Sequence, residues 1–309
     1  MLLSFQLLQS AEAATSVAVT GDFTGLVQLE SGRSLYVECA GIGSPTVLLI
    51  SGYRSRADVW TDDLFDPDAG FEPVFPALSQ TTRVCTYDRP GTMSVLDGMQ
   101  HPSRSDAVPT PRTAEEVVQE MRELRLLVAD DEPIVLAAHS MGGLLARLYA
   151  TTYPEDIAGL VLVDALSEFV QNEMPASEFA AYATYASEIP DILANYPEYE
   201  TIDFIEASVA VRDATAATAL PQVPTIILSK GQPFGLQGET PGFTIDDLER
   251  AWVAGQNRLA ASLPGAVHET VPDSSHYIQL ERPDLVIKAI ELVIEAIRAG
   301  ESMNPSATP

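Results

Sequence analysis

Ser140 lies where an apolar run, Ile134 to Ala138, gives way to a turn containing Gly142 and Gly143 and then to a helical pattern in Leu144, Leu145, Leu148 and Tyr149. A serine on a sharp strand-to-helix turn is the arrangement of the G-x-S-x-G nucleophile elbow, whose residues two before and two after the serine must be small for the turn to close. Ala138 stands at the first of these positions and Gly142 at the second. The helix that follows would point its free N–H groups and positive dipole end at a developing negative charge, with the N–H of Met141 as one donor to an oxyanion. A serine that merely caps the helix could occupy the same place.

A serine hydroxyl is a weak nucleophile until a base takes its proton, so one of the four histidines must serve. His139 adjoins the serine and is expected to point elsewhere from the turn. His101 falls in a Pro- and Ser-rich stretch, and His268 near the start of a strand. His276 follows the last strand, in Val271-Pro272-Asp273-Ser274-Ser275-His276, and precedes the final helix. That position suits the recurring chain order of serine, acid, histidine. The acid is expected at Asp164, because Leu160-Val161-Leu162-Val163-Asp164 ends a strand with a carboxylate. Asp164 could instead cap the segment that follows it, in which case Glu239, Asp246 and Asp247 are the substitutes. The loop after Thr225 to Ser229, a common place for the acid, reads Lys230-Gly231-Gln232-Pro233-Phe234-Gly235 and carries no carboxylate. A second oxyanion donor is expected in Ser51-Gly52-Tyr53-Arg54, where Gly52 permits close approach and the N–H of Tyr53 is the candidate.

These residues need strands to present them and helices to back the strands. Apolar, β-branched runs alternate with longer amphipathic stretches, as in a parallel sheet flanked by helices. The spacing predicts strands at Phe23 to Glu30, Ser34 to Cys39, Thr46 to Ser51, Arg83 to Tyr87, Ile134 to His139, Leu160 to Asp164, Thr225 to Ser229 and Val267 to Val271. The first two should form a hairpin turned at Ser31-Gly32. Helices are predicted over Thr113 to Ala129, Gly142 to Tyr153, Asp246 to Ser262 and Asp284 to Arg298, the first with a capping box from Thr113 and Glu116.

Ala165 to Gln222 breaks the alternation: it is rich in Ala, Glu and Tyr, interrupted by Pro, and without a strand signal. Its position before the seventh strand suggests a helical cap over the carboxyl edge of the sheet; a surface excursion away from substrate is the alternative. Phe169, Met174, Phe179, Tyr182, Tyr185, Ile189 and Tyr196 could line an apolar pocket there or pack the cap onto the core. The division expected is therefore an N-terminal segment 1–20, a core of 21–164 and 223–300, a cap of 165–222 and a disordered tail of 301–309.

The 309 residues are 46% hydrophobic and 20% charged, ample for a packed interior, and the 44 acidic against 17 basic residues leave a formal charge of −27. A nucleic acid would be repelled, and no Lys/Arg-rich run offsets the field. No segment after the N-terminus reaches the roughly 18 unbroken apolar residues of a membrane span, so no stable membrane insertion is expected. Met1 to Ala14 carries an apolar stretch ending in Ala11-Glu12-Ala13-Ala14, which resembles a signal-peptide cleavage site without a basic start; a secreted or extracytoplasmic protein and a cytoplasmic one with a frayed terminus both fit. Cys39 and Cys85 are not spaced for metal and could be paired or free.

Four stretches carry a resemblance: Gly43-Ser44-Pro45-Thr46-Val47, Arg83-Val84-Cys85-Thr86-Tyr87-Asp88-Arg89-Pro90-Gly91, the Ser140 turn, and Ser275-His276-Tyr277-Ile278-Gln279-Leu280. In order and spacing they resemble the α/β-hydrolase superfamily, in particular its Tyr-Asp-Arg-x-Gly subgroup, over roughly Leu26 to Ala299. The resemblance implies an eight-stranded, mostly parallel sheet flanked by helices. It implies that the second and fourth strands are neighbours, so that Cys39 and Cys85 can meet in a disulfide. It implies a structural role for Asp88 and Arg89, bracing the loop beneath the site, rather than catalysis by Asp88.

A serine at the elbow argues against the epoxide hydrolases and dehalogenases of this fold, which use a carboxylate nucleophile. No S-x-x-K, H-E-x-x-H or phosphate-loop pattern occurs, and no cofactor or metal is implied. The expectation is a serine hydrolase, carboxylesterase-like, that cleaves a small-molecule ester through an acyl-enzyme, with Ser140, His276 and Asp164 catalytic. Amide or carbon–carbon bond hydrolysis, acyl transfer on the same residues, or a catalytically silent binding scaffold are the rival readings.

Overall fold

In a computed structural model the described residues are 18–62, 64, 70–96, 99–129, 131–189, 196, 198–236 and 240–303. In chain order the elements are β1 (Phe23–Gln28), β2 (Ser34–Ala40), β3 (Val47–Ile50), α1 (Asp58–Thr61), α2 (Val74–Ser79), β4 (Val84–Tyr87), β5 (Met93–Leu96), β6 (Met99–Pro102), α3 (Ala114–Val128), β7 (Ile134–His139), α4 (Met141–Thr152), β8 (Ile157–Val163), α5 (Ala176–Ser187), α6 (Phe204–Ala217), β9 (Thr225–Lys230), α7 (Ile245–Ser262), β10 (Val267–Val271), α8 (Ile278–Glu281) and α9 (Pro283–Ala299).

Eight strands form one sheet in the order β1-β2-β4-β3-β7-β8-β9-β10. Only β1·β2 and β2·β4 are antiparallel; the other pairs are parallel. The central strands have no polar face because helices cover both sides, so β3 and β7 are buried along their whole length. Alternation decides which helix each residue meets. Leu48, Ile50, Leu136 and Ala138 pack with α3 and α4, whereas Val47, Leu49, Val135 and Ala137 pack with α2 and α9. Edge strand β1 instead alternates between partly buried and exposed positions.

Helix α3 opens with the expected capping box: Glu116 N–H donates to the Thr113 hydroxyl at 3.2 Å and Thr113 N–H to the Glu116 carboxylate at 3.0 Å. Helix α9 buries Val286, Ala289, Ile290, Val293 and Ile294, one stripe at helical spacing, and ends on Gly300 in the left-handed region (φ 67°). Met303, placed in the expected tail, is buried in the α9 side of the core; the rest of that segment, 304–309, lies outside the described residues. The leader expected over 1–14 also lies outside them.

Cys39 and Cys85 face each other across β2 and β4, with Cα atoms 4.1 Å apart, and form a disulfide. Closing the intervening 46 residues stabilises the fold by about 4 kcal/mol in the chain-entropy treatment. Short helices α1 and α2 and the β5·β6 hairpin were not anticipated. Between β8 and β9 the chain builds helices α5 and α6, the latter capped by Asp203, whose carboxylate accepts the N–H groups of Ile205 and Glu206. Among the described residues no helix is long and apolar enough to cross a membrane.

Candidate active site

Every parallel strand of the sheet ends on the same edge, and the residues singled out above sit just past those ends: Gly52 and Tyr53 after β3, Ser140 after β7, Asp164 after β8 and His276 after β10. Ser140 has φ 53° and ψ −125°, a region that costs a non-glycine residue about 1–3 kcal/mol. The surrounding backbone holds it there: Ser140 N–H donates to the Val163 carbonyl at 3.1 Å, and its carbonyl accepts Gly143 N–H and Leu166 N–H at 2.9 and 2.8 Å. Gly142 has no room for a side chain, since a Cβ there would lie 2.6 Å from the Ser51 carbonyl oxygen. The Ser140 hydroxyl does not cap α4; it meets His276 Nε2 at 2.9 Å.

On its other side the His276 ring meets Asp164 through Nδ1 and Oδ2 at 2.6 Å. Asp164 is fully buried, with φ 38°. Its second oxygen, Oδ1, accepts the Trp252 indole N–H at 3.0 Å and Lys230 N–H at 3.1 Å, so both oxygens are engaged and the carboxylate is fixed in direction. The loop carrying His276 is tied down by Glu281, whose carboxylate accepts Ser275 N–H at 2.6 Å and the hydroxyls of Ser274 and Ser275. Rings of Phe234, Trp252 and Tyr277 pack around the imidazole, with centroids 5.1, 5.4 and 5.5 Å away.

The substitutes for the acid stand elsewhere. Asp246 and Asp247 lie in the first turn of α7, where Asp247 accepts the Thr244 hydroxyl and pairs with Arg250; Glu239 falls outside the described residues. His268 bonds Ser229 Oγ at 2.8 Å and His101 lies on β6.

The His139 ring turns toward His276, with centroids 4.6 Å apart, and its Nε2–H donates to the His276 main-chain carbonyl at 2.8 Å. A carbonyl can only accept, so the proton sits on Nε2 and Nδ1 is a bare, buried acceptor without a partner among the described residues. Burial, and then the neighbouring His276, push the His139 pKa well below 6.5, which keeps the ring neutral. Gly52 packs directly on that ring: a Cβ there would lie 2.8 Å from His139 Nδ1 and 3.1 Å from Ser140 Cβ. Gly52 is thus required by protein packing, besides any approach of substrate.

A cavity of about 150 Å³ opens on Ser140 and is lined by Tyr53, Met141, Leu166, Tyr182, Phe204 and Tyr277, among others. Neither Tyr53 N–H nor Met141 N–H has an acceptor among the described residues. Of the seven apolar residues named for the 165–222 segment, Tyr182 reaches this cavity. Phe179 and Met174 are buried in the core, Phe169 lies under the guanidinium groups of Arg147 and Arg258, Tyr185 packs on Phe243, and Ile189 is exposed. Tyr196 lines a separate small pocket with Gly91 and Tyr199. Phe204 and Leu166 take the places those residues left.

Asp88 and Arg89 do not pair with each other. Asp88 is buried and takes Arg104 in a two-point contact at 2.8 and 2.9 Å, together with Ala57 N–H at 3.0 Å. Burial would raise its pKa, but the Arg104 hydrogen bonds outweigh that and lower it. Arg89 pairs with Glu200. Among the described residues no group of three or more His, Cys, Asp or Glu side chains is arranged to hold a metal ion.

Comparison with known proteins agrees with the fold. The profile of the "Alpha/beta hydrolase family" matches residues 47–289. YqjL of Bacillus subtilis, an uncharacterized protein, is 31% identical over 144 residues, 44% of this chain and 48% of that protein. A Hormonema carpetanum protein named as a transporter, efuK, is 30% identical over 160 residues, 50% of this chain and 20% of that protein. The chain thus spans half or less of the length of these curated relatives. Among solved structures, a thermophilic esterase from Thermogutta terrifontis superposes with TM-score 0.52 at 19% identity, covering 89% of this chain and 99% of that one. The enol-lactonase from Burkholderia xenovorans superposes with TM-score 0.51 at 18% identity, covering 86% and 98%. At these identities the structural likeness speaks to fold alone, while the profile spans most of the sheet and the Ser140, Asp164 and His276 positions: the chain belongs to the α/β-hydrolase family.

Proposed function

We propose that the protein is a serine hydrolase that cleaves small neutral carboxylic esters through an acyl-enzyme. The observation that carries this reading is the unbroken line from Ser140 Oγ to His276 Nε2 at 2.9 Å and from His276 Nδ1 to the buried Asp164 at 2.6 Å. In this reading Ser140 Oγ attacks the ester carbonyl carbon while its proton passes to His276 Nε2. The carbonyl π electrons move onto oxygen, where the N–H groups of Tyr53 and Met141 donate to the oxyanion. As the tetrahedral carbon collapses, the alcohol leaves with the proton held by His276. Water then attacks the acyl carbonyl carbon as His276 takes its proton; the second tetrahedral carbon collapses, Ser140 Oγ leaves and takes that proton back from His276, and the carboxylic acid departs. Asp164 keeps the imidazole in one orientation and stabilises its charged form.

The substrate class follows from the cavity, whose lining mixes aromatic and apolar side chains with Ser55, His139 and His276 and includes no Asp, Glu, Lys or Arg among the described residues, which suits an uncharged acyl group, and from the net charge of −27, which disfavours anions. In the same reading residues 165–222 act as a cap over the site, supplying Tyr182 and Phe204 to it. The Cys39–Cys85 bridge fits an oxidising, extracytoplasmic compartment. The test is hydrolysis of p-nitrophenyl acetate through octanoate by wild type and Ser140→Ala. Wild type should turn over the short esters and the variant should lose several orders of magnitude; equal rates in two folded proteins would remove Ser140 from the mechanism.

A further inference from the structure

The Arg89 side chain is not spent on Asp88, its neighbour in sequence. It is 1% exposed and its guanidinium reaches the loop after β3: Nη1–H donates to the Ser51 carbonyl at 2.7 Å and Nη2–H to the Gly52 carbonyl at 2.5 Å. The remaining contacts go to Glu200, also 1% exposed, through Nε–H to Oε1 at 2.7 Å and Nη2–H to Oε2 at 3.1 Å. Glu200 Oε2 in turn accepts Arg54 N–H at 2.6 Å. Three successive peptide groups are therefore fixed by one ion pair or flanked by groups that are. The 51–52 peptide is held at its carbonyl, the 52–53 peptide at its carbonyl, and the 53–54 peptide at its N–H.

The middle peptide is the one that matters chemically. The Gly52 carbonyl and the Tyr53 N–H belong to the same planar trans unit, so a donor that anchors the carbonyl on one side turns the N–H to the other. Tyr53 and Gly52 line the Ser140 cavity, and Tyr53 N–H is without an acceptor among the described residues. A buried guanidinium on the carbonyl oxygen also polarises the peptide and strengthens its N–H as a donor. We propose that Arg89, held in place by Glu200, is a positioning residue for the ester hydrolysis, aiming and strengthening the Tyr53 N–H that receives the oxyanion.

The rest of the Tyr87-Asp88-Arg89-Pro90-Gly91 segment serves the same arrangement. Gly91 accepts Glu200 N–H on its carbonyl at 2.8 Å, and a Cβ at Gly91 would stand 2.3 Å from the Glu198 carbonyl oxygen and 2.6 Å from Glu200 N, so only glycine lets the strand of chain bearing Glu200 come in. Arg54 fastens the loop from above: its guanidinium donates to the carbonyls of Ser187 and Glu188, at the end of α5, at 2.8 and 2.7 Å, and to that of Glu200 at 3.0 Å. The oxyanion donor of the sheet edge is in this way set by a carboxylate from the segment between β8 and β9.

This inference rests on the ester-hydrolase reading with Tyr53 as donor, and the test separates the two. Wild type, Arg89→Lys and Glu200→Gln are compared for kcat and KM on p-nitrophenyl butyrate, for inhibition by an alkyl trifluoromethyl ketone, and for melting temperature. The ketone carbon bonds to Ser140 Oγ, the hydroxyl proton passes to His276, and the former carbonyl oxygen becomes the oxyanion, so its Ki reads the donor directly. Arg89→Lys keeps the charge but loses the fork; kcat should fall about 100-fold, the scale of losing one oxyanion donor, with KM within about 3-fold and the ketone Ki rising in the same proportion as kcat falls. Glu200→Gln, which keeps the shape and the bond to Arg54 N–H, should show the same paired change at about 10-fold and serves where Arg89→Lys does not fold. A loss of kcat with unchanged ketone Ki in a folded variant, or unchanged kcat in Glu200→Gln, overturns the positioning role while wild-type esterase activity stands. Wild type that neither hydrolyses the ester nor binds the ketone overturns the ester-hydrolase reading itself, and this inference with it.

Discussion

A single methyl group at Gly52 should disable the site without removing any group proposed to do chemistry. In Gly52→Ala the new Cβ would lie 2.8 Å from His139 Nδ1, about 0.6 Å inside the 3.4 Å at which ordinary contact begins, and 3.1 Å from Ser140 Cβ. The His139 ring is 1% exposed and packed against His276 and Tyr277, so it cannot swing aside as a surface side chain would. It also holds the His276 main-chain carbonyl through Nε2, so displacement of the ring is passed to the proposed general base, while pressure on Ser140 Cβ moves the nucleophile itself. Overpacking of this kind costs about 1–3 kcal/mol, offset in part by the roughly 0.4–1 kcal/mol that a Gly→Ala change recovers from the unfolded chain. A displacement approaching 1 Å at reacting groups lowers turnover about 100-fold. The assay is kcat on p-nitrophenyl butyrate alongside urea unfolding of both proteins. The expected result is a net destabilisation below about 3 kcal/mol with kcat down about 100-fold; a folded variant with kcat within 3-fold of wild type would refute the packing argument.

Two further outcomes follow from the same contacts. Trp252→Phe removes the indole N–H from Asp164 Oδ1 and leaves Lys230 N–H alone on that oxygen; a hydrogen bond to a charged acceptor contributes about 1.5–3 kcal/mol, so kcat/KM should drop about 10- to 100-fold, measurable by steady-state kinetics and contradicted by wild-type values. Because His139 is held neutral when folded and titrates near 6.5 when unfolded, the unfolded chain binds the extra proton below that pH, and stability should decline as pH falls below about 6.5 by up to about 1.4 kcal/mol per unit and be unaffected above it. Urea unfolding at pH 5.5 and 7.5 should show this slope reduced in His139→Gln; an equal slope in the variant would show that His139 does not contribute it.

The parts of the fold that were legible in the sequence are those with local causes. Strands buried on both faces read as unbroken apolar runs, the stripe along α9 repeats at helical spacing, and the Thr113/Glu116 box lies within four residues. The Ser140 turn was legible because its backbone excludes side chains at Gly142, and Asp164 because it follows β8 directly. What supports these residues was not legible. Trp252 meets Asp164 across 88 positions, Glu200 meets Arg89 across 111, and neither sits in a pattern that its neighbours reveal. His139 does not reach the Ser140 hydroxyl, as its place in the turn implies, but adjacency to the serine says nothing of its packing once β10 delivers His276 beside it. Tyr196 and Ile189 have the composition of pocket residues, yet the cavity on Ser140 is lined by Phe204 and Leu166 instead, a choice made by how α6 packs on α4 and by the bond of Leu166 N–H to the Ser140 carbonyl rather than by residue type.

A nucleophilic Ser140 should be captured covalently by a fluorophosphonate, and intact-mass spectrometry reads the adduct. One adduct is expected per wild-type chain, on the peptide containing Ser140, and none on Ser140→Ala. No adduct on folded wild-type protein, or an adduct that persists in Ser140→Ala, would contradict a nucleophilic Ser140.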